Sequence, residues 1–208
     1  MDAMPPGPEL AVVLAGVDRS RVGACDLHDL LQARVRLLAH VQAQVLADVW
    51  ETGRAVGQPA ESLTRSDEVT EFSGDEIGWT LHWSRSYAFG QVLIGQALVC
   101  RLPMVFEAML AGRIDGAKAT AFVDALSGLD EQTARAVATR LLGKAGESTL
   151  TQLRERLRYH VDKADPAAAT RPVQEEGGRP AGVAARRRGR GGQLGRVQPG
   201  PAPGGGRL

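Results

Sequence analysis

Apolar residues recur every three or four positions along much of this chain, which is the period of an α-helix with one apolar face. The longest such stretch predicts a helix from about Asp26 to Arg54, with Asp26 as its N-cap and Gly57 and Pro59 beyond its end. Seven residues form the centre of its apolar face: Leu27, Leu31, Val35, Leu38, Val41, Val45 and Val49. Four more widen that face: Leu30, Leu37, Leu46 and Trp50. We expect this face to be buried, because such a helix persists only when it docks on others.

A second long helix is predicted to begin at the capping box of Ser73 and Glu76 and to continue to Leu102, where Pro103 ends it. It is apolar on most sides, so we expect it to lie at the centre of the fold. Trp79 and Trp83 are one helical turn apart in it. They are interpreted as core side chains, although such a pair can also stack a base or a ligand.

Four shorter helices follow. The first is predicted to start at Pro103 and to stop at Gly112 in a left-handed conformation. Asp115 and Asp130 are predicted to cap the next two helices, and a second capping box precedes the last one. That box consists of Thr149 and Gln152, and the apolar face behind it consists of Leu150, Leu153, Leu157 and Val161.

No stretch shows the alternating pattern of a strand. The sequence therefore predicts an all-α, multi-helix bundle of about six helices, followed by a disordered Gly/Arg/Pro-rich C-terminal tail. The expected organisation is a flexible lead over residues 1–24, a helical domain over 25–169 and the tail over 170–208. The lead carries one apolar patch, which is expected to form at most a loose turn or two of helix.

Charge divides the chain into two parts. The last 32 residues contain seven Arg and no Lys, Asp or Glu, and the other residues hold 18 basic and 24 acidic side chains, a net charge of −6. An acidic body argues against a duplex-binding surface. The composition of the tail is typical of a GC-rich gene translated out of frame. We therefore expect it to be a frameshift product rather than a functional nucleic-acid arm.

The sequence shows no arrangement of residues typical of a reactive site. His28, His40, His82 and His160 match no metal-ligand spacing, and Ser73, Ser84 and Ser148 lie in no nucleophile elbow. Cys25 and Cys100 are expected to be reduced, partly buried thiols. The sequence thus predicts no catalytic, cofactor-binding or metal-binding residues, and no enzyme.

Nucleic acid is the one ligand class for which candidate contacts exist. Arg154 and Arg158 lie one turn apart on the last helix and could grip phosphates, although nearby acidic residues favour a mixed, solvated face. The tail adds a cluster of further candidates: Arg186, Arg187, Arg188 and Arg190. No membrane span or signal peptide is predicted, so the expected location is the cytoplasm.

Four segments together resemble the domain-of-unknown-function 222 family of actinobacterial proteins. They read EFSGDEIGWTLHWS, LVCRLPMVFEAMLAGRIDGAKA, LDEQTARAVATRLLGKAG and LTQLRERLRYHVDKADPAAA. The resemblance covers 145 of the 208 residues, from Cys25 to Ala169. It implies a helical module that precedes an HNH-type endonuclease domain and has no catalytic residues of its own. The nuclease motif is absent here, so we expect a truncated member.

Two functions follow as expectations. The first is a non-catalytic helical module with a DNA-associated role, as the resemblance implies. The alternative is a stand-alone protein-interaction module that associates with itself or binds a partner helix through an uncovered apolar face. An enzyme with an unrecognised site is the least favoured reading.

Overall fold

The computed structural model of the chain describes residues 4–56, 64–65, 69 and 73–164. In these residues the fold is all-α, as predicted. Its eight α-helices are α1 (Pro8–Ala15), α2 (Ala24–Gly53), α3 (Ser73–Leu81), α4 (Arg85–Gln96), α5 (Pro103–Leu110), α6 (Gly116–Leu126), α7 (Glu131–Ala145) and α8 (Leu150–Ala164). A 3₁₀ turn (Arg19–Arg21) precedes α2, and a π-helical turn (Ala97–Arg101) continues α4.

Two short strands also form between α2 and α3, where no strand was predicted. Strand β1 (Ala55–Val56) pairs in antiparallel fashion with β2 (Thr64–Arg65), and Ala55 lies opposite Arg65. A ladder of two residues on each side adds no sheet layer, so the class of the fold is unchanged. The predicted tail over 170–208, with Arg186, Arg187, Arg188 and Arg190, lies outside the described residues.

The helix count differs from about six partly because the predicted central helix is two helices. The chain turns at His82, which has a positive φ of 55°. The amide of Trp83 donates to the carbonyl of Gly78 at 3.0 Å, the bond that closes a helix with a left-handed residue after its end. Ser84, predicted inside the helix, is the N-cap of α4 and accepts from the amide of Tyr87.

The other extra helix is α1, in the region predicted as a flexible lead. Pro8 occupies its first turn, where the missing amide hydrogen costs nothing. Leu10 and Leu14 are buried against Leu30 and Ala33 of α2. The short apolar patch of the lead is therefore a packed helix rather than a loose turn.

Helix α2 begins two residues earlier than predicted, and its N-cap is not Asp26. Gly23 occupies the N-cap position, where it has no side chain to accept a hydrogen bond. Asp26 therefore lies three residues further on, within the first turn. A carboxylate there still complements the positive end of the helix dipole.

The caps predicted for the last three helices and the stop at Gly112 are confirmed. Asp115 Oδ1 accepts from the amide of Lys118 at 2.9 Å, and Asp130 Oδ1 accepts from that of Thr133 at 3.0 Å. Thr149 and Gln152 exchange both bonds of the capping box, at 3.0 and 3.3 Å. Gly112 ends α5 with a φ of +68°, the left-handed conformation that a glycine adopts without strain.

Three apolar clusters hold the helices together. The largest joins α2, the π-helical turn and α5–α8 around Phe122 and Met109, both fully buried. A second cluster packs α2 against α3 and α4 around Trp50 and Val92. The third is the contact of α1 with α2. Helix α2 takes part in all three, so it connects the clusters to one another.

Candidate interaction surface

Most of the predicted apolar face of α2 is exposed to solvent, which contradicts its expected burial. Of the seven residues at its centre, only Val49 is buried, at 4% exposure. The other six are between 41% and 62% exposed: Leu27, Leu31, Val35, Leu38, Val41 and Val45. We call these six residues the α2 stripe.

The buried faces of α2 include several residues smaller than those of the stripe. Ala33 packs against α1, and Ala39 and Ala43 belong to the main core. At Gly95 of α4, an added Cβ would overlap the carbonyl oxygen of Leu46, so the two helix backbones touch. Alanine and glycine allow this close approach. Leu30, Leu46 and Trp50, which widen the predicted apolar face, are buried beside them, so the packed faces of the helix combine small and large side chains.

A groove lies along the C-terminal half of the stripe. It has a volume of about 400 Å³, and Val41 and Val45 form one wall. Trp83 and Tyr87 contribute to the wall opposite, where their rings make an edge-to-face contact with centroids 4.9 Å apart. Two aromatic rings beside a row of branched aliphatic side chains make a surface suited to an apolar partner.

Two more grooves border the stripe. One of about 270 Å³ lies between Val45 and the residues Ile77 and Leu81 of α3. The other, of about 410 Å³, lies beside Leu31 and Val35 near the turn that follows α5. Grooves therefore adjoin the stripe along most of its length.

Neither predicted tryptophan is a fully buried core residue. Trp79 is 85% exposed, and Trp83 is half-buried in the groove beside Tyr87. The interpretation as a core side chain is wrong for Trp79. Trp83 packs against the second apolar cluster, although the helix ends at Leu81 and the two rings no longer share a helical face.

The two arginines of α2 near the stripe are held from the side of α1. Arg34 Nη2 donates to the carbonyl of Leu14 at 2.9 Å, and Arg36 Nη2 donates to that of Met4 at 2.7 Å. These bonds direct positive charge toward the N-terminal part of the fold. The stripe itself consists of uncharged side chains, a feature of the centre of protein interfaces.

Several basic side chains elsewhere bind the carbonyl ends of helices. Arg101 donates to the carbonyls of Leu126, at 2.8 Å, and of Leu129. Lys118 Nζ donates to that of Gly146 at 3.0 Å. His40 Nδ1 lies 2.7 Å from the carbonyl of Leu110. Each of these groups meets carbonyls at or just after the C-terminal end of a helix, where the helix dipole is negative, which is a stabilising role.

The predicted nucleic-acid contacts on α8 share a groove with carboxylates. Arg154 and Arg158 line a cavity of about 330 Å³ between α6 and α8, together with Asp124. Burial raises the pKa of the Asp124 carboxyl, and the charge of Arg154 partly offsets that effect. Arg158 Nε lies 4.0 Å from Asp162 Oδ2. The two arginines thus come together as predicted, and their contact with nucleic acid stays a prediction.

The other residues considered for a reactive site are the possible metal ligands, Ser148 and the two cysteines. No group of three or more His, Cys, Asp or Glu side chains in the described part of the chain could hold a metal ion. Ser148 Oγ donates to the carbonyl of Lys144 and accepts from Arg156 Nη1, both at 2.6 Å. Cys25 and Cys100 are exposed rather than partly buried, since each lies on an outer helix surface.

Comparisons of the chain with models of known protein families, with curated proteins and with solved structures gave no match. The family resemblance therefore stays a prediction. Within the described ranges, no single helix combines the length and hydropathy needed to cross a bilayer, and one pair, α4 with its π-helical turn and α5, meets both criteria only with a 105° bend between its halves.

Proposed function

We propose that the helical domain is a non-catalytic protein-interaction module that binds an apolar helix along the α2 stripe and the groove beside it. The observation that supports this function is the row of six large apolar side chains on the exposed face of one helix. Scattered apolar residues are normal on protein surfaces, whereas a continuous row on one face indicates a binding site.

The size of the stripe suits reversible binding. Its six side chains expose on the order of 500 Å² of apolar surface, and burying that area contributes roughly 12 kcal/mol before costs. The loss of translational and rotational freedom on association costs about 4–15 kcal/mol. The two terms nearly balance, so the stripe alone supports weak binding at most.

The aromatic groove supplies the additional energy. Trp83 and Tyr87 border Val41 and Val45, so one partner helix can contact both the stripe and the rings. Tryptophan and tyrosine dominate the binding energy of many interfaces, because they bury a large area with little loss of side-chain entropy. We expect the groove to be the strongest contact and the N-terminal half of the stripe to set the orientation of the partner.

A designed peptide tests this function without a known partner. The peptide is an amphipathic helix with leucine on one face and balanced Lys and Glu elsewhere, and a scrambled peptide of the same composition is the control. The side-chain N–H signals of the tryptophans report the site by NMR. We expect the signal of Trp83 to shift on titration while that of Trp50, which is 2% exposed, stays in place.

Matched variants locate the binding. Val45→Glu places a charge between two of the grooves and is expected to weaken binding at least tenfold. Val12→Glu makes the same change on α1 at a valine that is 74% exposed, and it should bind like the wild type. Equal loss in both variants, or no shift of Trp83 at saturating peptide, would contradict the proposed function.

A DNA-associated role rests on the family resemblance alone. The geometry of α8 does not favour direct phosphate binding there, because Arg154 and Arg158 already face Asp124 and Asp162. A carboxylate beside a guanidinium repels a phosphate and lowers the affinity of the site.

A further inference from the structure

We infer that the partner of the α2 stripe is the α2 stripe of a second copy of this chain, packed in antiparallel orientation about a twofold axis near position 36. This inference rests on the proposed function and names its partner. It draws on the spacing of the stripe, on the composition of the rest of the chain, and on the exposed area.

The spacing of the stripe is nearly the same in both directions. Leu27 and Val45 lie nine residues on either side of position 36, and Leu31 and Val41 lie five residues on either side. In an antiparallel pair centred there, Leu27 of one copy meets Val45 of the other, and Val35 and Leu38 lie close to the axis. A twofold interface requires such self-complementarity.

Steps of three and four residues also match the geometry of paired helices. Side chains at this spacing fit between those of a facing helix when the two axes cross at a shallow angle. The stripe spans 19 residues from Leu27 to Val45, so the contact would be about 27 Å long at a rise of about 1.5 Å per residue.

The rest of this chain has no segment that suits the same face. Residues 170–208 hold only five large apolar residues, Val173, Val183, Leu194, Val197 and Leu208, among glycine, proline and arginine. The connector over 57–72 is mostly polar. Neither sequence has the repeat of an amphipathic helix, which makes a second α2 the better occupant.

The exposed area is close to what a weak dimer needs. A standard interface buries about 800 Å² per partner, and the stripe supplies roughly 500 Å² before the rims of the adjoining grooves are counted. Asp29 lies about half a helical turn away from the stripe, and Arg34, which is on the side of the stripe, is directed toward α1 by its hydrogen bond to the carbonyl of Leu14. We expect a dimer with a dissociation constant in the micromolar range, about −8 kcal/mol.

The molar mass of the full chain in solution tests the inference. Analytical ultracentrifugation over a concentration series should show a monomer–dimer equilibrium for the wild type. Leu31→Glu places a charge opposite Val41 of the second copy and should give a monomer at all concentrations. Tyr159→Glu is the control, since Tyr159 is 63% exposed on α8, and it should dimerise normally. Circular dichroism checks that each variant retains its helix content.

Disulfide trapping tests the orientation. In a Cys25→Ser, Cys100→Ser background, Leu27→Cys protein is mixed with Val45→Cys protein under mild oxidation. The mixture should form a mixed disulfide dimer, and neither protein alone should crosslink, because identical positions would lie about 27 Å apart along the helix axes. Efficient crosslinking of Leu27→Cys alone would overturn the antiparallel arrangement.

The outcomes separate this inference from the proposed function. A wild-type chain that stays monomeric but binds the designed peptide through Val45 would overturn the dimer and leave the interaction module in place. A dimer that persists in Leu31→Glu would place self-association on another surface, which overturns the inference as well.

Discussion

Helices α2 and α8 carry the same kind of apolar stripe, but the fold buries the stripe of α8 and leaves that of α2 exposed. On α8, Leu153 and Leu157 are 1% and 0% exposed, and Leu150 and Val161 pack against the same core. On α2, the six residues of the stripe are 41–62% exposed. The two sequences show equally regular spacing, so spacing alone does not determine burial.

The difference comes from the neighbours of each helix. Helix α8 is covered by α6 and α7, which contact its one apolar face. Helix α2 has other apolar faces, formed by alanines and by residues such as Leu46 and Trp50, and α1, α4 and α5 occupy them. A regular row of large apolar residues therefore indicates a face that packs against another surface. The other helices of the fold determine whether that surface is the protein's own core.

The largest expected effect contrasts a covered leucine with an uncovered one. Leu157→Ala leaves a cavity in the main core and should lower the free energy of unfolding by about 2–5 kcal/mol. Leu38→Ala should change it by no more than about 0.5 kcal/mol when the protein is dilute enough to be monomeric. Urea denaturation measures both. Similar losses in the two variants would mean that the stripe is buried within a single copy.

A smaller effect tests which face of α2 is covered. Gly95→Ala forces a Cβ against the carbonyl of Leu46 and should lower the free energy of unfolding by about 1–3 kcal/mol, since α2 and α4 must separate. Gly90 is the matched control on the same helix, because nothing lies within 4 Å of a Cβ placed there. Gly90→Ala should raise stability by about 0.5–1 kcal/mol. Thermal melts measure both variants. Unchanged stability of Gly95→Ala would contradict the close contact of the two helices.

The smallest effect concerns the acid beside the covered stripe of α8. Burial raises the pKa of Asp124, so its ionisation destabilises the folded chain above that pKa, and the penalty disappears as the pH falls below the pKa of the unfolded state. Asp124→Asn should therefore raise the melting temperature slightly at neutral pH. The gain should vanish in acid. A gain that is independent of pH would contradict an electrostatic origin.

The local boundaries of the helices were predictable because local chemistry sets them. Asp130 and the pair of Thr149 and Gln152 satisfy amides only two or three residues away, so the sequence contains all the partners involved. The break at His82 was missed because a histidine gives no signal for a left-handed conformation. Ser84 was the available clue, since a serine before an apolar run is a frequent N-cap.

One of the two features that define the candidate surface was predictable from the sequence. The regular row of residues in the stripe was visible in the sequence, and its exposure was not, because alanine and glycine contribute little to a hydrophobic pattern. Ala43 and Gly95 decide which face of α2 packs, and they act through their small size. Small size matters only once two helices have been brought together.

The sequence by itself determined the helical class, the capped starts of α6, α7 and α8, and the existence of an apolar row on α2. Those features depend on periodicity and on hydrogen bonds between near neighbours in the chain. Only the tertiary structure decided that α1 packs, that the central helix breaks, and that the stripe faces outward. Each of these depends on contacts between residues far apart in sequence, where backbone approach and competition among apolar faces determine what is buried.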